Sequence, residues 1–257
     1  MSFRQTEILE IARREGKVTV EGLADRFGVT LQTIRRDLTD LADQGRLARV
    51  HGGAVLPSGT VNIAYEERRA LHSAAKTAIG QAAAALVAPG AAVCLNIGTT
   101  TEAVAHALSG HDDLMMVTNN LNIAAIRQAQ GAECLVTGGR LRPADGGLVG
   151  PLAEEAIGQF RFDIALIGCS ALGPDGDLLD FDLDEVRVSR AILRAARETW
   201  LVADASKLAR TAPARIASLG ALTGIVTDLI LPEPISALCS ETKTQVVIAK
   251  TPDEDAR

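Results

Sequence analysis

Aromatic residues are scarce in this chain: they make up 3% of its 257 residues, with a single Trp and a single Tyr. Its core therefore has to be built from Ala, Val, Ile and Leu, and at 47% hydrophobic residues there are enough of them for a well-packed interior. Long apolar runs are also missing. None approaches the ~18 residues that a bilayer-spanning helix requires. The opening MSFRQTEILE has neither the basic end nor the apolar stretch of a secretory signal, so a cytoplasmic location is expected. Closely spaced cysteines are absent too. Cys94, Cys134, Cys169 and Cys239 stand too far apart for a zinc site or a CxxC redox pair, so they read as reduced thiols, three of them in buried strands. Neither a metal nor a cofactor is expected.

The length allows a small domain joined to a larger one. The net charge of −6 is unevenly spread. Residues 1–57 hold nine Lys and Arg against eight Asp and Glu, whereas residues 58–257 hold 17 against 24. The acidic surplus belongs to the larger part, and an acidic chain can still bind nucleic acid through a local basic face.

The amino-terminal segment reads as three short helices. Arg4 to Arg14 places Ile8, Ile11 and Ala12 on one face, and Gly16 stops it. Thr19 can cap a second helix with Leu23, Ala24 and Phe27 on its apolar side, closed by Gly28. After the tight turn Gly28-Val29-Thr30, Thr30 caps a third helix from Leu31 to about Gln44. Leu31, Ile34, Leu38 and Leu41 form its buried stripe. The opposite face presents Gln32, Arg36 and Thr39, with Thr33 and Arg35 at its edges; Asp37 falls beside the stripe as a structural partner. This is a helix–turn–helix pattern whose second helix carries amides, hydroxyls and guanidiniums, groups that match base edges and phosphates in the major groove. A solvated helix face would show similar residues. The stretch RLARVHGGAV then alternates Leu47 with Arg49 and ends in His51-Gly52-Gly53, as two strands and a glycine bend would, making a wing with Arg49, His51 and Gly52 beside the DNA backbone; His51 could equally be a loop residue without a partner.

The run GVTLQTIRRDLTDLADQGRLARVHGGA resembles the signature of the DeoR family of bacterial repressors, matching at Thr33-Ile34-Arg35-Arg36-Asp37-Leu38, Gly45, Leu47, Arg49 and His51-Gly52-Gly53-Ala54. The resemblance implies a winged helix–turn–helix in which Arg35 and Arg36 lie on the helix that reads double-stranded operator DNA.

Residues 58–75, with Pro57, Ser58 and Gly59 at their start and the charged run Glu66-Glu67-Arg68-Arg69, read as a linker between a domain at 1–57 and one at 76–257. Beyond it, apolar strands (AVCLNI, LMMVT, ECLVT, DIALIG, TWLVA, GIVT, QVVIA) alternate with helical stretches near 74–87, 101–109, 121–129, 151–158 and 184–197. That alternation predicts an α/β domain with a mostly parallel sheet covered on both faces. Residues 229–257 otherwise read as a polar, uninformative tail.

Ligands of such sheets bind at the carboxyl ends of the strands. The loops expected there are Ile97-Gly98-Thr99-Thr100-Thr101, Thr118-Asn119-Asn120, Thr137-Gly138-Gly139-Arg140, Gly168-Cys169-Ser170 and Asp204-Ala205-Ser206-Lys207. Glycines allow close approach, helix-start amides and threonine hydroxyls can hold a phosphate, Lys207 adds a cation, and Asn119 and Asn120 suit hydroxyls. Each loop alone could be ordinary turn chemistry; together they point to a small anion. They are similar to the loops of the DeoR-family effector domain, which implies a fold resembling ribose-5-phosphate isomerase, a phosphorylated sugar or polyol as effector, and dimers or tetramers formed by this domain. Asn62-x-Ala64-Tyr65, LNIGTTTE, TNNL and LLDFD followed by DEVRVS resemble the subgroup that answers to glycerol-3-phosphate. In that last stretch Asp180, Asp182 and Glu185 read as polyol contacts. The alternate aspartates lack the remaining spacing of a Ca²⁺ loop, and Asp184 fits a helix N-terminus equally well.

Three functions compete: a repressor released or remodelled by a phosphorylated polyol, or by another sugar phosphate; an isomerase of the ribose-phosphate type; and an architectural DNA-binding protein without an effector. An isomerase has no need of a winged helix, and an architectural protein has no need of five ligand-type loops, so a non-enzymatic repressor is the expectation.

Overall fold

The computed structural model describes residues 3–15, 17–44, 46–50, 52–55, 65–111 and 113–250. They divide into two compact units, Met1–Asn62 and Ile63–Arg257.

In the first unit, helix α1 (Phe3–Glu15) buries Ile8, Leu9, Ile11 and Ala12. Strand β1 (Lys17–Thr19) follows, and the Thr19 hydroxyl caps α2 (Val20–Phe27) by accepting the Gly22 N–H at 3.1 Å. Gly28 ends α2 in the left-handed conformation, and Thr30 caps α3 (Leu31–Asp43). Ile34, Leu38 and Leu41 are fully buried, but Leu31, at the first helical position, is 41% exposed, so the buried stripe starts one turn later than its spacing suggests. Strands β2 (Ala48–Val50) and β3 (Gly53–Val55) pair antiparallel, and β3 also pairs with β1, a three-stranded arrangement that the sequence reading did not include. Gly53 is required there because a Cβ would meet the Val18 carbonyl oxygen at 2.0 Å.

The second unit begins inside the stretch read as a linker. Residues 58–64 lie outside the described residues, but Tyr65–Ala70 is helix α4 and Ser73–Ala84 is helix α5. The run EERR thus belongs to a helix, anchored by the Tyr65 hydroxyl donating to Glu102 at 2.7 Å. The chain continues through β4 (Ala92–Leu95), α6 (Thr99–Ala107), β5 (Met115–Thr118), α7 (Leu121–Ala129), β6 (Leu135–Val136), β7 (Arg140–Arg142), β8 (Gly147–Val149), α8 (Pro151–Gly158), β9 (Phe162–Ile167), β10 (Ala171–Leu172), β11 (Asp177–Asp180), α9 (Leu183–Ala195), β12 (Ala196–Val202), β13 (Ala214–Ser218), β14 (Gly224–Thr227), α10 (Glu233–Thr242) and β15 (Gln245–Ile248).

Seven strands form one parallel sheet in the order β15-β14-β12-β9-β4-β5-β6, and each contains part of one of the seven apolar runs. Alternate residues serve opposite faces. Val93, Leu95, Ile164, Leu166, Trp200 and Val202 pack with Ile79 of α5 and Val104 and Leu108 at α6. Cys94, Ala165, Ile167 and Leu201 pack with Ile157 of α8, Val186 and Ile192 of α9 and Ile235 of α10. Both faces are covered, which is why these strands read as continuous apolar runs. An antiparallel hairpin (β7, β8) and a small antiparallel sheet (β10-β11-β13) flank the main sheet. The polar tail contains α10 as well as β15. Of the cysteines, all unpaired, Cys94 is in a strand; Cys169 lies in the loop after β9 and Cys239 in α10, so burial of these thiols does not follow from strands alone.

Strand order reverses at β4. From it the chain runs outward through β5 and β6, then returns to the other side of β4 with β9 and continues to β12, β14 and β15. Asn96, 2% exposed, spans this reversal: its side-chain oxygen accepts the Gly168 N–H at 2.9 Å and its amide donates to the Ser189 hydroxyl at 3.3 Å. Replacing Asn96 with Ala removes both bonds in a buried setting, and we expect a loss of about 1–3 kcal/mol in denaturant unfolding. Unchanged stability would mean that these bonds do not hold the two loops.

Candidate functional sites

The exposed face of α3 carries Gln32, Arg35, Arg36 and Thr39, with Thr33 half-buried. The Thr30 hydroxyl accepts the Thr33 N–H at 3.2 Å and lies 2.9 Å from the Thr33 hydroxyl, so the two threonines organise the start of the helix. Thr39 is exposed and donates to the Arg35 carbonyl at 2.8 Å. Two of the three acids of α3 are turned the other way. Asp37, buried, accepts from Arg4 Nε at 2.6 Å, and Asp40 accepts from Gln5 at 3.3 Å. Along most of the helix charge is thus segregated, with Asp37 and Asp40 against α1 and both guanidiniums outward; Asp43, at its end, is exposed. Arg49 lies in β2 opposite Ala54, and Gly52 makes the turn with φ 76°; His51 lies outside the described residues.

In the larger unit, a narrow pocket opens at the carboxyl ends of β4 and β9, where the strand order reverses. The predicted residues Gly98, Thr99, Thr100, Asp180, Glu185 and Lys207 line it, joined by Arg68 and the Gly168-Cys169-Ser170 loop. Such a reversal is where two adjacent loops leave in opposite directions and a crevice forms. The floor on one side is the N-terminus of α6. Its N-cap is Gly98, no side chain caps it, and the first-turn amides are available to an anion.

The other predicted residues are placed elsewhere. Thr101 is fully buried and donates to the Asn96 and Gly98 carbonyls, fixing the loop from beneath. Asn119 donates to the Leu148 carbonyl; Asn120 caps α7 and donates to Glu102. Both asparagines are buried joints between β5, α6 and the β7–β8 hairpin. Gly138 and Gly139 turn the chain into β7, and a Cβ on Gly139 would meet the Val149 carbonyl at 2.8 Å, so this GG answers to backbone packing. Asp182 caps α9 by accepting the Asp184 and Glu185 N–H groups and pairs with Arg142 at 2.9 Å. Asp184 pairs with Arg140 and Arg187.

The lining carries charge of both signs: Lys207 and Arg68 with the N-terminal amides of α6, and Asp180 and Glu185. Burial pushes the Lys207 pKa down, and Arg210 adds to this against the pull of Asp204. Burial also brings Lys76 down to about 8, with Asp204 opposing and Lys207, Arg210 and Arg68 reinforcing. Asp204 moves the other way: burial would raise it, but Lys207, Ser206 and Lys76 hold it below the usual carboxylate range. Glu185 is pushed up to about 8 by burial and by Asp180, despite Arg142 at 2.6 Å. Burial likewise drives the Cys169 thiol up to about 12, so it lines the pocket as an inert apolar group. Sequence reasoning missed Arg68, hidden in a charged run, and Asn96, which the motif reading passed over as part of a strand.

A family model for the DeoR-like helix-turn-helix domain matches residues 4–60, and one for the DeoR C terminal sensor domain matches residues 71–229. The chain is 41% identical to the glycerol-3-phosphate regulon repressor of Escherichia coli (strain K12) over 236 residues, covering 91% of this chain and 93% of that protein. It is 42% identical to the protein of the same name from Haemophilus influenzae over 248 residues, 96% of each. Among solved structures, ribose 5-phosphate isomerase A from Methanocaldococcus jannaschii matches with 14% identity and a TM-score of 0.40, over 52% of this chain and 53% of that one.

Glu185 makes stability pH-dependent. Between the ordinary carboxyl value and about 8, the folded chain keeps a proton that the unfolded chain releases, so this contribution is complete below that window and is lost as pH rises through it. Glu185→Gln should therefore melt with the native chain near pH 5 and about 2–4 °C above it at pH 9. Parallel melting curves at both pH values would show that Glu185 is ionised in its pair with Arg142.

Proposed function

We propose, from the premise that this chain belongs to the DeoR family of transcriptional regulators, that it is a DNA-binding repressor of glycerol-3-phosphate metabolism genes whose grip on its operator is loosened by glycerol-3-phosphate. The observation that carries the effector reading is the lining of the pocket, which brings together groups for both halves of such a ligand. The α6 amides, the Thr99 and Thr100 hydroxyls and Lys207 suit a dianion, and Asp180 and Glu185 suit a diol. Near neutral pH Glu185 holds a proton and can donate to one hydroxyl, while Asp180 accepts from another. The names of the two repressors that match over nearly the whole chain support the same effector. The α3 face supplies the base and phosphate contacts, with Arg36 and Gln32 facing the groove. In the same proposal the protein works in the cytoplasm as a homo-oligomer, since paired half-sites multiply the weak contact of one unit through effective concentration.

Two measurements test this. On DNA selected from a random library by the protein itself, Arg36→Ala should cost about 1–3 kcal/mol of binding free energy. If Arg35→Ala/Arg36→Ala binds that DNA at full affinity, α3 is not the reading helix. Glycerol-3-phosphate should raise the melting temperature and weaken binding to the selected DNA, glycerol should do neither, and Thr100→Val should blunt the response. A response to fructose-1-phosphate with none to glycerol-3-phosphate would leave a sugar-phosphate repressor and remove the glycerol assignment.

A further inference from the structure

One residue lining the pocket comes from a helix that precedes the whole main sheet in the chain. Arg68 lies on α4, the first described helix after the residues that join the two units in sequence. Its side chain is 15% exposed. Nη2 reaches Asp145 at 3.4 Å, and Nε is buried with no hydrogen-bond partner among the described residues. A buried guanidinium nitrogen without an acceptor is costly unless an acceptor arrives.

Asp145 does not depend on Arg68. It is held by both Arg142 Nε, at 3.0 Å, and Arg142 Nη2, at 2.5 Å, and it also accepts the Gly147 N–H at 3.3 Å. The Arg68 contact is the long one of the set, so Arg68 can turn away and leave no carboxylate orphaned. Arg142 in turn is committed to Asp145, Asp182 and Glu185. Arg68 is therefore the lining guanidinium with donors to spare. Its neighbours include Lys76, whose ammonium donates to the Arg68 and Leu71 carbonyls and so ties α4 to the start of α5, and Lys207, which lines the same pocket. Three cations within electrostatic reach of one another, two of them with lowered pKa, form an arrangement that an anion would relieve.

We propose that Arg68 is a phosphate-binding residue of the effector pocket, exchanging its loose contact with Asp145 for a charge-assisted, two-pronged bond to the bound phosphate. The inference rests on the effector reading above and deepens it: α4 becomes part of the ligand site, so occupancy of the pocket is felt in the helix from which the chain runs back toward the DNA-binding unit. A guanidinium is suited to this because its planar fork meets two phosphate oxygens at once.

The test is calorimetric titration of the full chain with glycerol-3-phosphate and, separately, with inorganic phosphate, for the native protein and for Arg68→Gln, Arg68→Lys and Asp145→Asn, with melting curves to show that each variant folds. We expect Arg68→Gln to weaken glycerol-3-phosphate at least tenfold and Arg68→Lys to lose less. Asp145→Asn, which frees Arg68, should bind as tightly as the native chain or more tightly. A purely structural Arg68–Asp145 bridge makes the opposite forecast, that Asp145→Asn loses affinity as Arg68→Gln does, and that pattern would overturn the proposal. Native-like titrations of Arg68→Gln would overturn it too, while leaving the effector assignment intact. If the native chain binds neither compound, both readings fall. Should Arg68→Gln not fold, the opposite signs expected for Asp145→Asn decide.

Discussion

The reversal of strand order between β4 and β9 governs the larger unit. A parallel sheet with both faces covered offers a ligand no entrance through its faces. Its one natural opening is at the carboxyl edge, where neighbouring strands send their chains to opposite sides. Here those strands are followed by Ile97–Thr100 and Gly168–Ser170, and the gap between them is the pocket. Asn96 prevents the gap from spreading, because its amide bonds both to the Gly168 backbone and to Ser189 on α9. The same loop turns directly into α6 through a glycine N-cap, so the amides that would otherwise need a capping side chain point at the opening. Topology places the hole, and the helix start gives it a positive end.

The carboxylates around that hole are kept from cancelling its cations by Arg142. It gathers Asp145, Asp182 and Glu185, joining the β7–β8 hairpin to the N-terminus of α9. An ion cluster of this burial is a poor source of stability, since desolvation offsets much of the attraction. Its consequence lies in what it leaves over. With those acids engaged, Lys207 and Arg68 face the pocket opposed mainly by Asp204 and Asp180 and the loose Asp145 contact. Within that cluster, burial and the neighbouring Asp180 make Glu185 the weakest acid, pushing its pKa up to about 8.

What the sequence made legible follows from these constraints. The seven parallel strands were readable because burial on both faces writes them as unbroken apolar runs. The strands of the small antiparallel sheet were not, because DLLD and ARIAS mix exposed and buried positions over few residues. Thr99, Thr100 and Lys207 were readable as strand-end chemistry. Asn119, Asn120 and the Gly138-Gly139 pair carry the same kinds of residue, yet Asn119 and the glycines serve the hairpin and Asn120 caps α7 and holds Glu102, and nothing in composition separates such uses from ligand binding. Arg68 was hidden for the opposite reason: EERR looks like a solvated connector, and only the packing of α4 shows an arginine turned inward. Leu31 was misplaced because a helical period does not say where along the helix burial begins.

The acidic balance of the chain bears on how such a repressor can be released. Residues 1–57 carry nine basic against eight acidic side chains, and α3 gains its basic face only by turning Asp37 and Asp40 toward α1. Few phosphates can be neutralised by one such unit, so its affinity rests on a small number of contacts and on their repetition. A weakly held unit needs little to dislodge it. Allosteric couplings of about 1–3 kcal/mol change an affinity 5- to 150-fold, and in the proposed homo-oligomer a loss of that size in each unit would compound across the half-sites. In the proposed switch a small dianion in the pocket would need to supply a coupling of only this order, and stronger DNA electrostatics would hinder release rather than help it.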